Sequence, residues 1–239
     1  MNIVLVESKN DKIFLNALVS HLNLSNTQVD DPILLDENNY ILMDGSDSSP
    51  DNPGLLIRKL KDLKTDIRKK GINNIGIVLD LDTNSLDDRL LTVNNAIKEA
   101  FKGDYSSFTE ITETSTLYPL DYTPDLVNFA CYFTNVEESG ELETLLKNIA
   151  TQNSDHADCL VGWKDCIEHK GHTISTKDFD KFWISNYLRF DTCSIKERNQ
   201  AGKYCSLASF DYIMKTKSHI FNLDSPLLEE LSNFLRLFN

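Results

Sequence analysis

The strongest constraint on this chain is a repeated pairing of a short apolar run with a segment of helical periodicity. Residues 2 to 6 (NIVLV) form a run too brief for a helix, and the apolar positions Ile13, Phe14, Ala17, Leu18 and Leu22 then follow on one helical stripe. Ser8 caps that helix, with Asp11 three residues on. The pairing recurs: Leu56, Leu60, Leu63 and Ile67 mark a helix over 55–70 that ends at Gly71, and Ile75 to Leu79 is a second apolar run. A third helix over 85–101 places Leu90, Val93, Ile97 and Phe101 inward. Strands that are apolar throughout are covered on both faces. The alternation therefore predicts an α/β fold with a mostly parallel sheet and helices on both faces.

Further along, residues 127–134 (VNFACYFT) predict another strand, and a helix follows over about 141–150. Beyond residue 155 the pattern is helical, closing with a helix opened by Ser225-Pro226 whose Leu227, Leu231, Phe234, Leu235 and Phe238 face a core. The expected division is an α/β domain over 1–152 and a helical region over 153–239 packing on the same core. Residues 23–37 read as loop, and Tyr40 to Met43 as a short strand.

Composition narrows the class. No apolar stretch approaches the roughly 20 residues needed to cross a bilayer, and the start MNIVLVESKND has no basic leader. Five scattered cysteines without a CxxC pair fit reduced thiols in a cytoplasm. The formal net charge of −13 opposes general nucleic-acid binding, because a phosphate backbone is repelled at long range. A metal ion at a carboxylate cluster inverts that field locally. No phosphate-cradling GxxxxGK[ST] loop is present.

Two of the apolar runs finish in carboxylates: Glu7 after the first, Asp80 and Asp82 after the second. In open α/β sheets ligands gather at the carboxyl ends of strands. Strand alternation predicts that Asp80 and Asp82 share one face. Converging carboxylates repel unless a proton or cation compensates, and hard oxygen donors favour Mg²⁺ or Mn²⁺. A single acid at a strand end is ordinarily a turn former or helix cap, and Asp11 fits that description as N3 of the first helix.

The string Val6-Glu7-Ser8-Lys9-Asn10-Asp11 resembles the first motif of Toprim domains, and Val78-Leu79-Asp80-Leu81-Asp82 resembles their second, D-x-D motif. A small bacterial family of free-standing Toprim-related proteins is closer still. It shares a motif here spanning Gly140 to Leu146 and a closing F-L-x-x-F, here Phe234 to Phe238. The resemblance implies a metal-dependent nuclease acting on DNA or RNA, with Glu7 as general acid/base and Asp80 and Asp82, with Glu7, on the metal. The alternative is a non-catalytic or conditionally active module that works through a partner protein such as an ATPase. Ser8 stands where the family has glycine. Glu143 is a candidate further carboxylate, with a first-turn glutamate favoured by the helix dipole as the alternative.

Two lesser signals remain. The 58–70 helix carries Arg58, Lys59, Lys61, Lys64, Arg68, Lys69 and Lys70, and a stripe through Lys61, Lys64 and Arg68 matches a phosphate backbone or simply a solvated face. Cys166, His169 and His172, with His156 and Cys159 nearby, lack the paired spacing of a zinc site.

Overall fold

The computed structural model describes residues 1–31, 33, 54–137 and 140–239. The expected strand at Tyr40 to Met43 lies outside them. The chain divides into two compact units, residues 1–133 with 230–239, and residues 134–229.

The first unit is α/β. Its elements run β1 (Asn2–Val6), α1 (Lys9–His21), β2 (Thr27–Val29), α2 (Leu55–Lys70), β3 (Asn74–Asp80), α3 (Leu86–Ala100), β4 (Ser107–Phe108), β5 (Tyr118–Tyr122) and β6 (Asp125–Thr134). They form one six-stranded sheet in the order β2-β1-β3-β6-β5-β4. The sheet is mixed. β1 pairs in parallel with β2 and β3, whereas β4, β5 and β6 form an antiparallel meander. The expectation of a mostly parallel sheet thus holds for one half. β2 corrects the reading of residues 23–37 as loop: three residues (TQV) are too few to show a period, and pairing with β1 makes the strand.

Pleating sorts the apolar residues between two faces. Ile3, Leu5, Ile75, Ile77 and Leu79 join the core formed with Leu56, Leu60, Leu63 and Ile67 of α2, Val93 and Ile97 of α3, and Phe101 at the C-cap of α3. Gly76 alternates to the opposite face. A Cβ built there would lie 2.8 Å from Phe238 and 3.0 Å from Phe234, so the closing helix sits directly on the strand backbone. That helix, Glu229–Arg236, follows a 3₁₀ turn at Pro226–Leu228 whose proline occupies the first turn, as Ser225-Pro226 predicts.

The second unit is helical: α4 (Leu142–Asn148), α5 (Asp155–Glu168), α6 (Thr176–Asn186), a π-helical turn (Tyr187–Asp191), α7 (Ile195–Arg198), α8 (Ala201–Tyr204) and α9 (Phe210–Thr216). The closing helix of the first unit is α10. Cys193 and Cys205 are joined in a disulfide, with Cα atoms 6.1 Å apart. This corrects the expectation of five reduced thiols. A separation of 12 residues carries no pairing signal, and the α7–α8 excursion brings the two together. Cys131 is buried, and Cys159 and Cys166 are exposed thiols. No described helix is long and apolar enough to cross a membrane.

Candidate metal centre

Glu7 immediately follows β1, and Asp80 is the last residue of β3. The two strands run in parallel with Val6 opposite Val78, so both carboxylates leave the sheet at the same edge. The Asp80 N–H donates to Glu7 Oε2 at 3.1 Å, which fixes the glutamate across the strand ends.

Asp82 is reached differently from the expectation. β3 ends at Asp80, and Asp82 has φ +55°, in the left-handed region. Strand alternation therefore does not orient it. Its carboxylate is instead set by Arg89, whose Nη2 lies 2.8 Å from Asp82 Oδ2. A non-glycine residue in this conformation costs on the order of 1 kcal/mol and is retained where surrounding contacts over-determine it. Asn84 N–H donating to Leu81 O at 3.1 Å and the cap of α3 at Ser85 supply those contacts.

Arg89 is a site residue that the strand-end pattern does not point to. It is buried, on the first turns of α3 beside Asp87 and Asp88. A cation near a helix N-terminus opposes the dipole, and that mismatch is the signal available in the sequence.

Asp11 behaves as expected of N3 in a capping box. Ser8 N–H donates to Asp11 Oδ2 at 2.8 Å, and Asp11 N–H to Ser8 Oγ at 3.3 Å. The box nevertheless buries a second carboxylate close to Glu7. Burial, first, and the charges of Asp11 and Asp82 push the Glu7 carboxyl up to about 7, against the lowering effects of the Asp80 N–H and Arg89.

The whole chain, residues 1–239, matches the family described as protein of unknown function DUF3226. The chain belongs to DUF3226. No curated protein and no solved structure matches it.

The donor set of this DUF3226 member suits a hard divalent cation chemically: all the candidate ligands are carboxylates, and a cation relieves the repulsion from Asp11 and Asp82 that adds to burial in raising Glu7. Among the described residues, however, no group of three or more His, Cys, Asp or Glu side chains is drawn together as a finished metal cage. Arg89 already supplies Asp82 with a positive charge. Glu143 lies in the second unit, in the first turn of α4, where a carboxylate complements the helix dipole.

The basic stripe is largely neutralised within the fold. Lys64 pairs with Asp104, and Arg68 with Asp125 at 3.0 Å while stacking over the Tyr122 ring. Lys59 pairs with Asp30 at 2.9 Å and Lys70 with Asp66 at 2.7 Å. Lys61 is exposed.

Proposed function

We propose that this chain is a metal-dependent phosphodiester-cleaving protein of Toprim type, a nuclease acting on DNA or RNA. The observation that carries the reading is the seat of Glu7: a half-buried carboxyl at the carboxyl end of β1, held by the Asp80 N–H and crowded by Asp11 and Asp82. Asp80 and Asp82, with Glu7, are the residues that would hold Mg²⁺ or Mn²⁺. Such an ion, when bound, supplies Lewis acidity toward a phosphate oxygen. A glutamate that titrates near 7 accepts and returns a proton at neutral pH, the property a general base requires. The Asp80 N–H fixes Oε2 of that base. Arg89 orients Asp82, and its charge restrains the repulsion among the acids.

The test is cleavage of end-labelled single- and double-stranded DNA and RNA by the purified full chain with Mn²⁺. Glu7→Gln and Asp80→Asn are expected to cut at least about 100-fold more slowly, a typical loss for a removed acid–base group, with unchanged circular dichroism. Cutting by both variants at the parental rate overturns the assignment.

The Arg89–Asp82 ion pair favours a second reading, a conditionally active module that works through a partner protein such as an ATPase. In that state the internal guanidinium occupies the acid that a metal needs. Mn²⁺ titration by electron paramagnetic resonance separates the two readings. Weak binding by the parent that strengthens in Arg89→Met supports the module, and equally tight binding by both supports the stand-alone enzyme.

A further inference from the structure

Two facing stripes in the helical unit form a second constellation. On α5, His156, Cys159 and Trp163 recur at i, i+3 and i+7, one helical face. On α6 and the π-helical turn, Phe182, Asn186 and Phe190 recur every four residues. The stripes meet at both ends. The His156 ring stacks on Phe190 with centroids 5.8 Å apart, and Trp163 packs edge-on to Phe182 at 5.1 Å. At the His156–Phe190 end lies an open cleft of about 430 Å³, lined by Asp155, His156, Cys159, Asn186 and Phe190.

Asp191 organises this cleft. Its side chain is only 2% exposed. Oδ1 accepts from His156 N–H at 3.0 Å, and Oδ2 from Ala157 N–H at 3.1 Å. Capping α5 needs no more than these two bonds. Oδ1 makes a third contact, 2.7 Å from His156 Nδ1. A carboxylate only accepts, so Nδ1 carries a proton, and in the neutral ring the lone pair is then on Nε2. The Cys159 thiol stands one turn along the same face, at the spacing where side chains on a helix are neighbours. π-turns often mark functional positions, and this one delivers Asp191 and Phe190 together.

We infer that Cys159, His156 and Asp191 form a thiol-based acyl-transfer site, taking small activated esters or thioesters whose flat apolar portion lies against Phe190. His156 Nε2 takes the thiol proton as Sγ attacks the carbonyl carbon, and the carbonyl π pair moves onto oxygen. The returning pair expels the alcohol or thiol leaving group, which leaves with the proton from Nε2. Water then attacks the Cys159 thioester by the same route, releasing the carboxylic acid and restoring the thiol. The Asn186 carboxamide, which spends one N–H on Phe182 O at 2.9 Å, is the donor in the lining suited to the developing oxyanion. Asp191 is a positioning residue. The inference stands on the second unit alone and is independent of the carboxylates after β1 and β3.

Cys166 provides an internal reference, because it is an exposed thiol on the same helix and outside the cleft lining. The full chain is treated with p-nitrophenyl acetate, and acetylation of each cysteine-bearing peptide is followed by mass spectrometry. Cys159 is expected to acetylate at least about tenfold faster than Cys166. His156→Gln should remove that advantage without changing Cys166, and Asp191→Asn should displace the pH profile of Cys159 acetylation, a readout that capping alone does not move. Cys159 is exposed, and His156→Gln keeps the backbone N–H that Asp191 accepts, so unchanged circular dichroism is expected of substitutions at both positions. Equal acetylation of the two cysteines, or a Cys159 rate indifferent to His156→Gln, overturns the inference.

Discussion

Glu7 is costly to the fold because its charge is partly withdrawn from water beside two other acids. Its carboxyl titrates near 7 rather than at 4.5, so the folded chain binds more protons than the unfolded chain between those values. Stability therefore falls as pH rises through this window, and the penalty is complete only above it. It amounts to at most about 3 kcal/mol by the pKa-to-energy conversion. Glu7→Gln should gain stability relative to the parent by an amount that grows from pH 4.5 to pH 8, measured by urea unfolding without divalent ions. A gap that stays constant with pH would show that Glu7 is solvated. Glu7 and Asp80 were legible in the sequence because each directly follows an apolar strand. The orientation of Asp82 was not, since it depends on a left-handed backbone and on Arg89 seven residues away.

At the scale of elements, the contact between β3 and α10 is the tightest test of packing in the first unit. Gly76 leaves no room for a methyl group below Phe234 and Phe238. Gly76→Ala should destabilise by about 1–3 kcal/mol, the usual cost of overpacking. Phe238→Leu in the same chain should recover part of that loss, and additive losses in the double variant would show that the rings are not what meets the new methyl. The α7–α8 excursion poses a different question. Its disulfide closes a loop with a separation of 12 residues, a constraint worth about 3 kcal/mol through the unfolded state. Both tryptophans, Trp163 and Trp183, lie in the helical unit. Adding dithiothreitol should consequently shift the tryptophan-fluorescence transition to lower urea, and an unmoved transition would mean that the bond constrains nothing. Strong helix stripes such as Leu56, Leu60, Leu63 and Ile67 could be read directly, whereas β2 and β4, three and two residues long, exist only through their partners.

For the whole molecule, charge sets how a polyanion is met. The net charge is −13, and Lys59, Lys64, Arg68 and Lys70 of α2 are already matched by carboxylates. Long-range repulsion is screened as ionic strength rises. On the proposed nuclease reading, the cleavage rate at fixed Mn²⁺ and subsaturating nucleic acid should rise as monovalent salt goes from about 20 to about 150 mM, because the shorter Debye length screens the net negative charge. A steep decline would instead indicate release of counterions from several phosphate contacts and would restore the basic stripe as a binding surface.

Local sequence alone is enough for α1 to α4 and the closing helix, for β1 and β3 being apolar on both faces, and for Glu7 and Asp80 standing at strand ends. Those properties rest on short-range periodicity and capping, which neighbouring residues decide among themselves. That half the sheet is antiparallel, that Arg89 answers Asp82, that Cys193 meets Cys205 and that Asp191 reaches back to His156 emerge only in the folded chain. Strand pairing and buried charge contacts join residues distant along the chain. The free energy that selects them is released only when those residues leave water together.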